Sequence, residues 1–244
     1  MSEPPPPYPR VPHLFATAGV NREDAVLTKA GARALLGSPV LVEEKLDGAN
    51  VVVWINGHGA IEVAGRAGPN ARDRSRQLGP LRQWALTRAD AFRKLLGGGR
   101  VLYGEWLWFA HGVYYDGLPA WLIALDLLNG ETGWLAPEER DAHCREVGLC
   151  VPPRLGAGLF EDTGALDALL GPARYGTDLA EGLIVRALRP AAAVPPVAKY
   201  VASGYRARTN DDWRAGALRN ELRSGASPRL TRCAGSPSGQ LGAG

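Results

Sequence analysis

Val40-Leu41-Val42-Glu43-Glu44-Lys45-Leu46-Asp47-Gly48-Ala49-Asn50-Val51-Val52-Val53-Trp54-Ile55 is the segment from which the rest of the chain can be read. Two apolar runs flank Asp47-Gly48, and Asp-Gly between such runs is a strong hairpin signal. The segment is therefore expected to form strand, tight turn, strand, with Lys45 at the end of the first strand. A lysine held there beside carboxylates could act as a nucleophile. On these residues alone an ordinary turn lysine is the better reading.

The composition sets the frame for that lysine. At 244 residues, 45% hydrophobic and 22% charged, the chain has the make-up of a soluble globular protein with ample material for a core. No apolar run approaches the ~20 residues of a membrane span, and the Pro-rich start has no signal-peptide core, so a cytoplasmic protein is expected. The cysteines (Cys144, Cys150 and Cys233) lack paired metal-site spacing and read as plain thiols. The net charge is only +3, but Lys199 to Arg232 holds eight Lys or Arg against three acids, a basic tail suited to a phosphate backbone or to a solvated helix face. Of the 28 basic residues only Lys29, Lys45, Lys94 and Lys199 are lysines, leaving 24 arginines. In that background a retained lysine suggests a need for a deprotonatable amine, which arginine cannot supply.

The rest of the chain reads as strands with interspersed helices. Residues 1–12, with Pro4 to Pro7 consecutive, form a flexible polyproline-like arm. A helix is expected over Asn21 to Leu36. Asn56-Gly57-His58-Gly59 turns the chain into a third antiparallel strand, Ile61 to Ala64. The loop from Gly65 to Gly79 carries Arg66, Arg72, Arg74 and Arg76 and is either phosphate-contacting or simply solvated. One helix is expected from Leu81 to Leu96, ended by Gly97-Gly98-Gly99. Strands follow at Val101 to Trp106 and Trp121 to Leu128, the latter with Asp126 inside it, where a carboxylate must be paired to be buried. Asn129-Gly130 makes a hairpin to Thr132 to Leu135. Pro137-Glu138-Glu139 opens a helix ending near Gly148, and a short helix covers Ala165 to Leu170. The last strands are Glu181 to Arg186 and Pro195 to Val201, followed by a helix through Trp213, Ala217 and Leu218. The fold class is α+β, built on antiparallel sheets flanked by helices. The domain reading is an arm (1–12), one domain (13–205), a short basic extension (206–223) and a disordered tail (224–244).

Five strand-associated items stand in order along the chain: Lys45-Leu46-Asp47-Gly48, Gly104-Glu105, Leu125-Asp126, Glu181-Gly182-Leu183-Ile184-Val185 and Val197-Ala198-Lys199. This order resembles motifs I, III, IIIa, IV and V of the covalent nucleotidyltransferase superfamily, which joins ATP-dependent DNA ligases, RNA ligases and mRNA capping enzymes on an ATP-grasp-like domain. Asn50 and Arg66 after the lysine, and Asp211-Asp212-Trp213 after the last motif, resemble the RNA ligases of the phage nick-sealing type and their bacterial relatives. The chain departs from the pattern at Val197, where a first motif V lysine is usual, and at Leu125, where an aromatic often stacks on adenine. Only 45 residues follow Lys199, too few for the C-terminal domains of those enzymes.

The resemblance implies an ATP-dependent RNA ligase that forms a lysyl-AMP on Lys45 and joins 5′-phosphate to 3′-hydroxyl ends. It implies Lys199 on the α-phosphate and Glu181 as organiser of Mg²⁺, with Mn²⁺ able to replace it. Glu105 is implied for the ribose hydroxyls, Asn50 and Arg66 for sugar or phosphate, and the backbone at Glu44 for the adenine edge. Asp47 and Gly48 complete the nucleotide-binding turn; with Leu125 at its position the base is held by aliphatic packing or by another aromatic, and Asp126 either orients a site residue or only satisfies a neighbour. Burial, Lys199 and metal are expected to lower the Lys45 pKa from its usual ~10.4. The partner is nucleic acid, RNA in preference to DNA, with no membrane. The alternatives are a DNA ligase or guanylyltransferase of the same superfamily, or a degenerate protein that only binds nucleic acid.

Overall fold

Residues 4–16, 24–66, 77–160, 163–188, 197–205 and 218–225 are described by a computed structural model. The strands are β1 (Val40–Lys45), β2 (Ala49–Ile55), β3 (Ile61–Gly65), β4 (Arg100–Trp106), β5 (Leu122–Asn129), β6 (Gly133–Trp134), β7 (Arg154–Gly158), β8 (Gly182–Ala187) and β9 (Val197–Val201). The helices are α1 (Lys29–Leu36), α2 (Leu78–Leu86), α3 (Ala89–Leu96), α4 (Pro137–Glu146) and α5 (Thr163–Asp167). The strands form two antiparallel sheets, a four-stranded one ordered β7-β1-β8-β9 and a five-stranded one ordered β3-β2-β4-β5-β6. The α+β class with antiparallel sheets and flanking helices is as the sequence predicts.

The opening hairpin is not. β1 and β2 lie in different sheets, so Leu46 to Gly48 carries the chain across the gap between them instead of folding it back. Gly48 does not take the positive φ that a two-residue hairpin requires. It is glycine for a different reason: a Cβ there would stand 2.7 Å from both the Trp106 carbonyl oxygen and Leu107 Cδ2. The Asp-Gly pair marks a close crossing of backbones.

Strand alternation gives each sheet a core face and a cleft face. In the four-stranded sheet Val40, Val42, Leu183, Val185 and Ala198 point to one side and bury against α1 and α5. In the five-stranded sheet Val51, Val53, Leu102, Trp106 and Leu127 pack with Leu81, Trp84, Phe92, Leu95 and Leu96 of α2 and α3. Each such fully buried Leu or Phe contributes roughly 1.5–3 kcal/mol. The remaining faces carry Glu43, Lys45, Glu105 and Asp126 and, around Tyr8, an apolar cluster of Val52, Trp54, Ala64 and Tyr103.

Several element boundaries differ from expectation for local reasons. α1 begins only at Lys29 because Thr28 caps it, its hydroxyl accepting from the Gly31 amide at 3.0 Å. Residues 24–28 run extended and bridge His13, and 21–23 fall outside the described residues. The single helix expected from Leu81 to Leu96 is two, broken where the Thr87 hydroxyl donates to the Trp84 carbonyl at 2.7 Å. β7 was not foreseen, since Leu155-Gly156-Ala157-Gly158 lacks β-forming residues. Leu218 is not helical; residues 218–223 are extended, with Phe109 bridging Arg219 and Leu118 bridging Leu222, while 213–217 lie outside the described residues. Cys144 is a free buried thiol and Cys150 is buried, while Cys233 lies outside the described residues.

The Pro-rich arm, expected to be free, is docked along residues 4–14. The Lys199 amide donates to the Pro12 carbonyl at 2.8 Å and the Leu14 amide to the Lys199 carbonyl at 2.8 Å, adding the arm to the edge of β9. Further out, Tyr8 packs on Tyr103 and Trp134.

Candidate active site

The two cleft faces enclose a cavity of about 620 Å³. Lys45, Glu43 and, across the register from them, Gly182, Ile184 and Lys199 come from the four-stranded sheet. Asn50 and Glu105, paired across β2 and β4, come from the other. Leu125 lines the cavity from an irregularity in β5, between the Asp126 and Ala124 pairings. Arg66, just past Gly65 at the end of β3, lines it as well, as does Arg82 of α2. Stretches far apart in sequence therefore meet in one cleft.

Lys45 is the centre of one end. Its Nζ donates to Glu181 Oε2 at 2.6 Å. Burial works against the ammonium, but Glu181, Glu105 and Asp47 outweigh it and hold the Lys45 pKa above the ordinary lysine value. This reverses the sequence expectation of a lowered pKa: Glu181 bonds the amine directly, and Glu105 and Asp47 add negative charge nearby. Burial raises the pKa of Glu181, and burial together with Glu181 and Asp47 pushes Glu105 up to about 7 against the pull of Lys45. Glu105 Oε1 also accepts from the Gly48 amide at 3.0 Å, so the crossing fixes the carboxylate in place.

Asp47 is turned away from the cleft into a loop. Its carboxylate accepts from the Gly112 amide and, at 2.8 Å, the Val113 amide, and its own amide donates to the Tyr115 hydroxyl at 2.9 Å. The loop aromatic Tyr115 is fully buried and anchors the segment that carries Lys45. Glu44 projects to the opposite face from Lys45. One of its oxygens accepts from the Arg174 amide at 2.9 Å, the other is buried without a partner, and burial pushes its pKa up to about 7. The Glu44 amide is taken by the Pro153 carbonyl at 2.9 Å.

The far end of the cleft is closed by a buried ionic network that sequence reading did not find. Glu43, fully buried, accepts from Arg140 Nη2 at 2.6 Å and from Arg186 Nε at 2.8 Å. Burial alone would raise its pKa, but the two guanidiniums hold it below the ordinary carboxylate value. Arg186 Nη1 reaches Asp126 Oδ1 at 2.7 Å, and the Tyr8 hydroxyl donates to the other Asp126 oxygen. Arg140 also binds the Leu125 carbonyl at 2.7 Å and Asp141 at 2.7 Å through Nε. Asp126 is thus paired, as a carboxylate in such a strand must be, and it ties the two sheets together. The signal for Glu43 was available: it sits two residues before Lys45, on the same strand face.

Lys199 stands opposite Ile184 on the cleft face and keeps Asp24 at 3.4 Å, with His13 at 3.6 Å from the other Asp24 oxygen. Val197, in place of a first motif V lysine, is buried. Among the described residues no three His, Cys, Asp or Glu side chains are grouped to hold a metal ion by themselves. No described helix is long and apolar enough to cross a membrane.

The sequence model of the family described as RNA ligase matches residues 38–201, about two thirds of the chain. A search of curated protein sequences finds no match. Among solved structures, an archaeal ATP-dependent RNA ligase is similar at 19% identity and a TM-score of 0.55, covering 80% of this chain and 48% of that one. A Naegleria gruberi RNA ligase with pyrophosphate is similar at 17% identity and 0.54, covering 81% and 61%. A variant of that ligase with ATP and Mn gives 18% and 0.51, covering 70% and 51%. The chain therefore spans about half the length of the solved proteins it matches.

Proposed function

The chain belongs to the RNA ligase family, and from that premise we propose that it is an ATP-dependent RNA ligase working through a lysyl-AMP on Lys45. The observation that carries this reading is that Lys45, Glu105 and Lys199, from three separate strands, line one cleft while Glu181, just before β8, bonds Lys45. The solved relatives that hold ATP with Mn, or pyrophosphate, support a nucleotide with a divalent cation as the reactant.

In the first step the Lys45 nitrogen forms a bond to the α-phosphorus of ATP, the bond to pyrophosphate breaks, and one proton leaves with the pyrophosphate; before this the ammonium must give up a first proton to become the nucleophilic amine. Glu181 Oε2, 2.6 Å from Nζ and with its pKa raised by burial, is placed to take that proton. Lys199 enters the same cleft from β9 and neutralises phosphate charge as it develops, an interaction strongest in the transition state. Asn50 and Arg66 reach sugar or phosphate and Glu105 the ribose hydroxyls. In the later steps the N–P bond breaks as AMP passes to a 5′-phosphate, and a 3′-hydroxyl then displaces AMP.

The residues fit a hard divalent cation. Glu181 and Glu105 set carboxylate oxygens beside Lys45. Mg²⁺ is bound through one or two carboxylates plus substrate phosphates, so a dedicated protein cage is not needed. Glu181 is the residue that would hold it, and the ion supplies charge neutralisation for the departing pyrophosphate.

Sealing assays on nicked RNA, nicked DNA and single-stranded RNA ends test the proposal. Joining of RNA ends in preference to DNA supports it. Joining of DNA alone makes the chain a DNA ligase, and binding without joining makes it a degenerate nucleic-acid-binding protein.

A further inference from the structure

The cleft has two chemically different ends. Around Lys45 it is ionic, with Lys199 and Arg66 among its lining. At the other end the charged groups Glu43, Arg186 and Asp126 are consumed in pairs with one another, and Tyr8, Leu125 and Ile184 supply the apolar surface. Lys45 pairs with Gly182 and Glu43 with Ile184, so the apolar end begins two residues from Lys45 along β1, about 7 Å at ~3.3 Å per residue. That span suits an adenosine monophosphate unit laid with its phosphate at Lys45 and its base at the apolar end.

Leu125 offers no ring to that base. The aromatic ring that lines the apolar end is brought by the N-terminal arm. Tyr8 is half-buried, its ring 5.1 Å from Tyr103 and 5.9 Å from Trp134, and its hydroxyl is fixed on Asp126. The arm is held by two backbone hydrogen bonds on Lys199 itself, which ties the ring's position to the strand that carries the phosphate-facing lysine.

We propose that Tyr8 is a base-pocket residue: its ring forms the inner wall against which adenine packs, in place of an aromatic at position 125. The Pro-rich arm is then part of the nucleotide site. This inference rests on the reading that the cleft takes ATP.

The test is the ATP dependence of self-labelling by the full chain with α-labelled ATP and Mg²⁺, alongside inhibition by tripolyphosphate, which probes only the ionic end. Stacking of a base on an aromatic side chain is worth enough that Tyr8→Leu should raise the KM for ATP about 10-fold. Labelling at saturating ATP and the tripolyphosphate inhibition constant should each change less than about 2-fold, as expected when binding common to ground and transition state is lost. Tyr8→Phe keeps the ring, so its KM should fall below that of Tyr8→Leu; this ordering carries the test if the leucine variant does not fold. An unchanged KM in Tyr8→Leu, or in Tyr8→Phe a KM equal to or above that of the leucine variant, overturns the proposal. So does an equal loss of tripolyphosphate binding, which would mark a general collapse of the cleft. A wild-type chain that takes no label at all overturns the ligase reading first, and this inference with it.

Discussion

Replacing Glu43 by Gln tests the account of how the two sheets are held together. Glu43 is fully buried on β1 and accepts from Arg140 at 2.6 Å and Arg186 at 2.8 Å. Glutamine keeps the shape but turns one acceptor into a donor facing guanidinium donors. Arg186 then retains Asp126 and Arg140 retains Asp141, with one negative charge missing from the network. Breaking a buried pair by removing one partner costs about 3–5 kcal/mol. The remaining carboxylates place this case at the lower figure, about 3 kcal/mol, or about 6–12 °C in melting temperature for a chain of this size. The pH dependence carries the sign. The folded pKa of Glu43 lies below its unfolded value near 4.5, so its contribution is complete above that value and is lost as pH falls through the folded pKa. Urea melts should show a wide gap between wild type and Glu43→Gln at pH 7, closing in acid. The exposed pair Lys94–Glu146 is the control, and Glu146→Gln should leave the midpoint unchanged. A loss below about 1 kcal/mol at pH 7, or one independent of pH, would refute the network as the tie between the sheets.

Three further outcomes follow from the same geometry. A Cβ at Gly182 would stand 2.2 Å from the Tyr200 carbonyl oxygen, so Gly182→Ala must push β9 and Lys199 off Lys45; labelling with ATP should fall about 100-fold while circular dichroism still reports a folded chain, and a wild-type rate would contradict this. Glu44→Gln removes a carboxylate whose folded pKa, about 7, exceeds its unfolded 4.5. Wild type should therefore lose stability as pH rises from 4.5 to 7 while the variant does not, giving the variant a lead of up to about 3 kcal/mol at pH 8 that is absent below pH 4.5; urea melts at the two pH values decide it. Because carboxylates hold Lys45 as an ammonium, Glu181→Gln should speed its acylation by an amine-directed reagent without nucleotide, read by peptide mass spectrometry, and a slower reaction would contradict the assigned electrostatics.

Much of this site was legible because its chemistry sits on strands whose alternation can be counted. Lys45, Glu105, Glu181 and Lys199 were each placed at strand ends or within strands; the structure brings Lys45, Glu105 and Lys199 into one cleft, with Glu181 bonded to Lys45. What could not be read is how the strands are distributed between sheets. Asp47-Gly48 carries the same local signal for a hairpin as for a crossing, and the choice is made by Trp106 and Leu107, about 60 residues away. The same limit hid the role of Asp47, whose partners are loop amides at 112 and 113. The backbone of Glu44 was read for the adenine edge, but its amide is taken by the Pro153 carbonyl, a partner remote in sequence. The arm was misjudged for a related reason: prolines describe its conformation, while its docking depends on Tyr8 finding Tyr103, Trp134 and Asp126.

The most direct measurement is covalent labelling of the folded chain with α-labelled ATP and Mg²⁺, resolved on a denaturing gel and mapped to a peptide. A label from ATP that maps to Lys45 and disappears in Lys45→Ala is the predicted result. No label, a label that survives Lys45→Ala, or a label from GTP alone would contradict it.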